Sequence, residues 1–129
     1  MFNPALNIKI RDIAKTVYDH LGPGLPGIVY KESFIHELNK TEIFYLEDPE
    51  IPIDYKGEIL ESGLPASFII DMEIVIYIKR TTKDPEYDVS RVYKFMQFSG
   101  IRCGMLLDFN RYEFSEVMRV FMTLDSEFC

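Results

Sequence analysis

The chain has 129 residues, of which 47% are hydrophobic and 27% are charged, and its formal net charge is −7. This length can bury one sizeable core and is too short for two ordinary domains, so we expect a single domain over residues 1–129. The acidic balance argues against a protein that coats nucleic acid non-specifically, because phosphate binding depends on Lys and Arg side chains.

Cysteine content and the N-terminal sequence bear on the cellular compartment. Cys103 and Cys129 are too few for a disulfide framework, and neither has the CxxC or His neighbours of a zinc site. The N-terminus lacks the basic and apolar regions of a signal peptide, and no stretch approaches the ~18 apolar residues of a membrane span. We therefore expect a reduced, cytoplasmic protein without membrane contact.

Two amphipathic helices are predicted at the start of the chain. Apolar residues recur at helical spacing over residues 7–21, and Gly22 followed by Pro23 ends that helix. Pro26 stands at the first turn of a second helix that runs to about residue 38. The buried stripe of the second helix is predicted to be Tyr30, Phe34 and Leu38.

The segment over residues 41–62 is acidic, with Lys56 as its single basic residue. Alternating apolar residues predict two or three short strands with one exposed face, the last of them running to about residue 62. Pro49 and Pro52 confine the segment to a sheet edge or a connection, because proline cannot donate a ladder hydrogen bond.

Residues 64–80 form the strongest strand pattern in the chain. Two runs rich in Ile, Val and Phe flank Asp71-Met72-Glu73, which predicts a β-hairpin. Side chains alternate along a strand, so Ile74, Ile76 and Ile78 share a core face. The opposite row, Val75, Tyr77 and Lys79, ends in a charge and must face something that tolerates an amine.

The last third of the chain combines a helix with one or two strands. After a polar, turn-like run over residues 81–84, a helix is predicted over 88–99 and ends at Gly100. An apolar strand follows over 101–109. Periodicity does not distinguish a strand from a helix over residues 112–124. Residues 128–129 are expected to fray.

Several short motifs resemble those of one nuclease family. Leu-Gly-Pro-Gly-Leu at 21–25, Gly-Leu-Pro-Gly-Ile-Val-Tyr at 24–30 and Tyr-Lys-Gly at 55–57 are similar to motifs of the GxxExxY branch of the PD-(D/E)XK nuclease superfamily. The resemblance covers about residues 6–110 and extends to the order of the elements. It implies an α/β, restriction-endonuclease-like fold with a central mixed β-sheet flanked by helices.

The resemblance also implies where the active site lies. These nucleases hold Mg²⁺ between carboxylates while a lysine supports the nucleophile or the transition state. Aligning on Lys79 places the family's hairpin acids at Ser67 and Tyr77 and its helix Glu at Gly27, whereas a family Gln corresponds to Arg91. Neutral hydroxyls cannot replace carboxylates, so the sequence predicts a vestigial Lys79 and no metal site. Without the resemblance, Lys79 is equally well a strand-end residue that protects a sheet edge.

Three classes of function follow, and we favour the first. It is a catalytically degenerate pseudoenzyme without a cofactor, acting as a binding or regulatory module toward a protein partner or a second copy. The second is a divergent, Mg²⁺-dependent nuclease that uses displaced acids, Glu32 or Glu61, with Lys79; the simpler interpretation of both acids is that they are solvated. The third is a nucleic-acid-binding protein without cleavage. Its basic residues would be Lys79, Arg80, Lys83, Arg91 and Lys94.

The three classes differ in what counts against them. Overall charge disfavours nucleic-acid binding, although basic residues outnumber acidic ones between positions 79 and 119. The missing carboxylates disfavour the nuclease. The acidic band over residues 42–61 suits a basic protein partner, although a solvated sheet face accounts for it equally well.

Overall fold

The structure is a computed structural model and describes residues 4–80 and 84–123. Its elements in chain order are α1 (Pro4–Leu21), α2 (Gly27–Leu38), β1 (Tyr45–Glu47), β2 (Glu50–Ile51), β3 (Asp54–Tyr55), β4 (Glu58–Ile59), β5 (Leu64–Pro65), β6 (Phe68–Ile70), β7 (Ile74–Ile78), α3 (Pro85–Ser99), β8 (Cys103–Leu107), a 3-10 turn (Phe114–Glu116) and β9 (Met118–Met122).

A five-stranded mixed sheet in the order β1-β6-β7-β8-β9 forms the centre of the fold. Neighbouring strands are antiparallel except β7 and β8, which are parallel and are connected through α3. Parallel neighbours need such a crossover connection, and a helix commonly supplies it. The predicted α/β class, with a central mixed sheet flanked by helices, is confirmed.

The sheet separates two hydrophobic clusters, as the alternation along β7 predicts. Ile74, Ile76 and Ile78 lie in the cluster that α1 and α2 cover. Val75 and Tyr77 belong to the cluster on the α3 side. Consequently, the row that ends in Lys79 faces α3.

The predicted stripe of α2 is confirmed, whereas Leu21 of α1 and Tyr93 and Phe98 of α3 are exposed rather than buried. Two helices also begin earlier than predicted. In α2, the predicted stripe residues Tyr30, Phe34 and Leu38 are buried. The third helix begins at Pro85 rather than at residue 88, because the Asp84 carboxylate caps it by accepting from the backbone N–H of Tyr87 at 3.1 Å. The first helix begins at Pro4 rather than at residue 7.

Predicted strands are shorter in the structure. The acidic segment contains four strands, β1 to β4, rather than the two or three predicted. Each has two or three residues, and the last one ends at Ile59 rather than near residue 62. Left-handed backbone at Asp48 and Lys56, with φ of 51° and 54°, interrupts pairing there. The strand predicted over 101–109 is confined to Cys103–Leu107.

The C-terminal segment that periodicity leaves undecided contains a strand. Residues 118–122 form β9 beside β8, after the short 3-10 turn. Cys103 is buried in β8 as a small apolar side chain. The predictions for residues 81–83, 128 and 129 lie outside the described residues. Within residues 4–80 and 84–123, no helix has both the length and the apolarity needed to cross a membrane.

Candidate functional site

A cavity of about 210 Å³ lies between the end of β7 and the first half of α3. We call it the β7 cavity. Five residues that the sequence assigned to a site lie in its wall. They are Ser67, Tyr77, Lys79, Arg80 and Arg91. The hairpin and α3, which are far apart in sequence, therefore build one site together.

An ion pair occupies the side of the β7 cavity next to α3. The Lys79 ammonium contacts the carboxylate of Asp88, which lies in the first turn of α3. Their side chains are only 14% and 9% exposed, so the two charges compensate each other largely out of water. The helix N-terminus favours a negative charge at Asp88 as well. The amine of Lys79 is therefore already neutralised by a protein carboxylate.

The hydroxyls of Ser67 and Tyr77 hydrogen-bond to backbone groups near the ends of strands. The Ser67 Oγ accepts a hydrogen bond of 2.9 Å from the backbone N–H of Ile78. The Tyr77 hydroxyl donates to the carbonyl of Pro65. Both hydroxyls satisfy backbone groups that the sheet ladder leaves free at these ends. Burial raises the pKa of Tyr77, and Arg91 offsets part of this effect.

Arg91 lies across two tyrosine rings beside the cavity. Its guanidinium carbon is 5.7 Å from the ring centroids of both Tyr77 and Tyr87, and its Nη1 donates to the Tyr87 hydroxyl at 3.0 Å. Burial opposes the charge of Arg91, but its interactions with Tyr87 and Tyr77 outweigh this effect and raise its pKa. The guanidinium is thus fixed in place, while its buried Nε has no hydrogen-bond partner.

At Gly27, α2 comes close to the backbone that follows β7. A Cβ atom built on Gly27 would lie 2.7 Å from Arg80 Cγ and 2.8 Å from the Lys79 carbonyl oxygen. Backbone cannot move away from such a contact without shifting the strand. The structure therefore explains why a glycine stands at the first position of a helix, where alanine would favour helix formation.

Two carboxylates line the β7 cavity, and each is held in an ion pair. Asp88 contacts Lys79, and Asp48 lies 2.6 Å from the ammonium of the buried Lys31. Mg²⁺ requires anionic or strongly polar oxygen ligands that are free to coordinate. Among the described residues, no three His, Cys, Asp or Glu side chains are arranged to hold a metal ion. The donor set of the cavity does not fit Mg²⁺.

Comparison with known proteins gives the family. The sequence model of the PD-(D/E)XK nuclease superfamily matches residues 5–120. The chain belongs to this superfamily. No match was found among curated proteins or among solved structures. The mixed sheet with flanking helices is the arrangement expected of a PD-(D/E)XK fold.

Other residues considered from the sequence lie away from the β7 cavity. Glu32 lines a separate groove between α1 and α2, together with His20 and His36. Glu61 is exposed in the bend between β4 and β5. Lys94 is exposed on α3 and bonds to Gln97 at 3.4 Å. Lys83 lies outside the described residues.

Three polar residues of this PD-(D/E)XK site are not predicted by any pattern in the sequence. They are Asp48, Tyr87 and Asp88. No spacing rule connects Lys79 with Asp88, because their distance depends on how α3 packs against the sheet. The one available signal was indirect: the β7 row that ends in Lys79 was expected to face a group that tolerates an amine, and that group is Asp88.

Proposed function

We propose that this protein is a catalytically degenerate PD-(D/E)XK protein of the GxxExxY branch, which acts as a non-enzymatic binding or regulatory module toward a protein partner. The observation that carries the proposal is the ion pair between Lys79 and Asp88. A lysine that supports phosphodiester cleavage must face the scissile phosphate or the attacking water. Here it faces a carboxylate of its own chain.

Each position that the resemblance assigns to a catalytic acid has a structural role instead. Gly27 permits the contact between α2 and the end of β7. Ser67 and Tyr77 hydrogen-bond to the backbone of Ile78 and Pro65. Restoring acids at these positions would remove these interactions or cause steric overlap. This replacement of catalytic by structural roles is what a binding module on a nuclease scaffold would show.

The two other functions have weaker support in the geometry. A divergent nuclease would need carboxylates that converge on Lys79, whereas Glu32 lies in another groove and Glu61 on an exposed bend. A nucleic-acid-binding surface would need free cations, whereas Lys79 is paired with Asp88. Arg91, in turn, is held against two tyrosines.

The surface that best suits a protein partner is the β3–β4 hairpin, residues 53–60, which we call the acidic hairpin. Its ladder pairs Asp54 with Ile59 and Tyr55 with Glu58, and Leu60 donates to the carbonyl of Ile53 at 2.9 Å. In the described part of the chain, β3 and β4 pair only with each other. An isolated two-stranded hairpin is marginally stable in water.

Apolar side chains on the acidic hairpin are exposed to solvent. Tyr55, Ile59 and Leu60 are 59%, 66% and 43% exposed. Along the antiparallel ladder, Tyr55 and Leu60 lie on the same face. Glu58 lies on this face as well, and Asp54 and the adjoining Glu61 add negative charge, whereas Lys56 lies over the Tyr55 ring as the one cation of the hairpin. The net charge of the acidic hairpin is therefore negative, which a basic partner would complement. Aromatic and aliphatic side chains rimmed by charge are typical of an interface.

The test combines a double substitution in the acidic hairpin with reconstitution. We expect the wild type to form a stoichiometric complex with one basic protein, which mass spectrometry identifies and which is then reconstituted from purified components. Tyr55→Ser with Leu60→Ser should weaken its affinity at least tenfold with little change in folding, because both side chains are already exposed. Added salt should also weaken the complex.

Tyr112→Ser is the matched control, since Tyr112 is 93% exposed and lies outside the acidic hairpin. It should leave the affinity unchanged. Equal affinities for the wild type and the double variant would contradict the role of the acidic hairpin. Metal-dependent cleavage of DNA or RNA by the purified protein would contradict the proposed function as a whole.

A further inference from the structure

The two edges of the central sheet differ in how well they are protected. The β1 edge has three residues, carries Glu47 and is followed at once by Asp48 and Pro49, and such features block pairing with another strand. The β9 edge is longer. It has five residues, contains no proline or glycine and carries Arg119 as its single charge. Of the two edges, β9 is therefore the one that can accept a further strand.

The hydrogen bonds of β9 show which backbone groups point outward. Thr123 donates to the carbonyl of Arg102, and Asp108 donates to that of Val117, so residues 117 and 123 both bond toward β8. Bonding alternates along an antiparallel strand. The N–H and C=O groups of residues 118, 120 and 122 therefore point away from β8. In the described part of the chain, no strand pairs with this outer side.

Apolar side chains along the β9 edge are exposed to solvent. Val120 and Met122 are 45% and 44% exposed and lie on the same face of the sheet. On the opposite face, Arg119 lies over its own Phe121 ring, with its guanidinium carbon 5.3 Å from the centroid. An incoming strand would thus meet apolar side chains on one face and a cation beside an aromatic ring on the other.

We propose that β9 is a homodimer interface, in which a second copy of this chain pairs antiparallel with β9 so that Val120 lies opposite Val120 of the second copy. In this register Met118 lies opposite Met122 of the second copy. The residues with outward-pointing backbone groups then face one another and can form about six hydrogen bonds across the two-fold axis. The two central sheets become one sheet of ten strands.

The side chains of β9 are complementary to themselves in this register. Arg119 lies opposite Phe121 of the second copy, so no like charges stand directly opposite each other. Within one chain, the Arg119 guanidinium already lies beside the Phe121 ring, so the same kind of contact can form across the interface. Shifting the register by one residue in either direction would lose the two-fold match between the outward-pointing groups. This self-complementarity favours a second copy over an unrelated strand.

The homodimer does not rest on the proposed function, because β9 and the acidic hairpin are different elements. A cysteine cross-link tests its register. Cα atoms in a hydrogen-bonded antiparallel pair lie about 5.5 Å apart, which is within disulfide reach. In a Cys129→Ser background, with Cys103 buried, Val120→Cys should give a reducible covalent dimer under mild oxidation.

Met122→Cys in the same background is the matched control. Two copies of residue 122 would lie about 13 Å apart, four residues along the strand, so its cross-linking should be at least tenfold lower. Equal cross-linking of both variants, or none with Val120→Cys, would overturn the proposed register.

Sedimentation over a range of concentrations tests the association without any cysteine. We expect reversible dimers that Val120→Pro weakens at least tenfold, because proline removes an outward N–H and leaves the bonds to β8 in place. Val120→Thr keeps that donor and should dimerise like the wild type. A wild type that stays monomeric up to about 1 mM would overturn the proposal, since a specific interface binds more tightly than that.

Discussion

Asp88→Asn is expected to lower the free energy of unfolding by about 3 to 5 kcal/mol, because it leaves the ammonium of Lys79 largely buried without its carboxylate. Lys79 and Asp88 are 14% and 9% exposed, so solvent can screen this charge only weakly. Urea denaturation of both proteins measures the difference. The same substitution removes a carboxylate and supplies no metal ligand, so no cleavage activity should appear.

Asp84→Asn is a matched control for that experiment. It removes one negative charge from the same end of α3, but asparagine caps a helix about as well as aspartate does. We expect it to change stability by less than about 0.5 kcal/mol. Replacing both members of the pair, Lys79→Met with Asp88→Leu, should restore most of the lost stability. Equal destabilisation by Asp88→Asn and Asp84→Asn would contradict the buried ion pair.

Gly27→Ala is expected to destabilise the protein by about 1 to 3 kcal/mol through overpacking. The added methyl group would lie 2.7 Å from Arg80 Cγ and 2.8 Å from the Lys79 carbonyl oxygen. Helix propensity alone predicts the opposite sign, a gain of up to about 1 kcal/mol, since alanine is the better helix former. The sign of the change, measured by thermal or urea unfolding, therefore separates the two explanations.

Glu32→Ala, in the same helix, is the control. It also introduces an alanine, but at a position without the steric overlap expected at Gly27. Its side chain is exposed, so the change should stay within about 0.5 kcal/mol of the wild type. Gly27→Glu, which restores the family acid, should be at least as destabilising as Gly27→Ala. A Gly27→Ala protein as stable as the wild type would mean that α2 does not pack against the end of β7 in this way.

Local patterns predicted the elements that shape the site. The alternation along β7 was enough to separate the Ile74-Ile76-Ile78 face from the row that ends in Lys79, because the period of a strand is two wherever it is placed. Gly100 ended α3 as predicted, since its left-handed backbone, with φ of 78°, suits glycine.

Features that depend on the packing of distant elements were not predictable in this way. The position of Asp88 relative to Lys79 depends on how α3 lies across the sheet. The crowding at Gly27 depends on how closely α2 approaches β7. The acidic segment was expected to hold two or three strands and holds four, because left-handed residues such as Asp48 and Lys56 divide it into short strands.

Superfamily membership and catalytic competence are separate questions for this chain. The match over residues 5–120 places it among the PD-(D/E)XK nucleases and their relatives. Activity depends on the side chains at the site, because one fold can carry many functions. At the β7 cavity those side chains are two hydroxyls that bond to the backbone and two carboxylates that are paired with lysines.

Thermal melting with and without millimolar Mg²⁺ or Mn²⁺ tests the central claim most directly, because an ion that binds the folded state must raise the melting temperature. Glu61→Gln, a change at an exposed acid outside the β7 cavity, is melted in parallel. We predict the same melting temperature for the wild type with and without either ion, and no nicking of DNA or RNA by the same material. A rise of several degrees that Glu61→Gln abolishes, together with strand cleavage, would contradict the account.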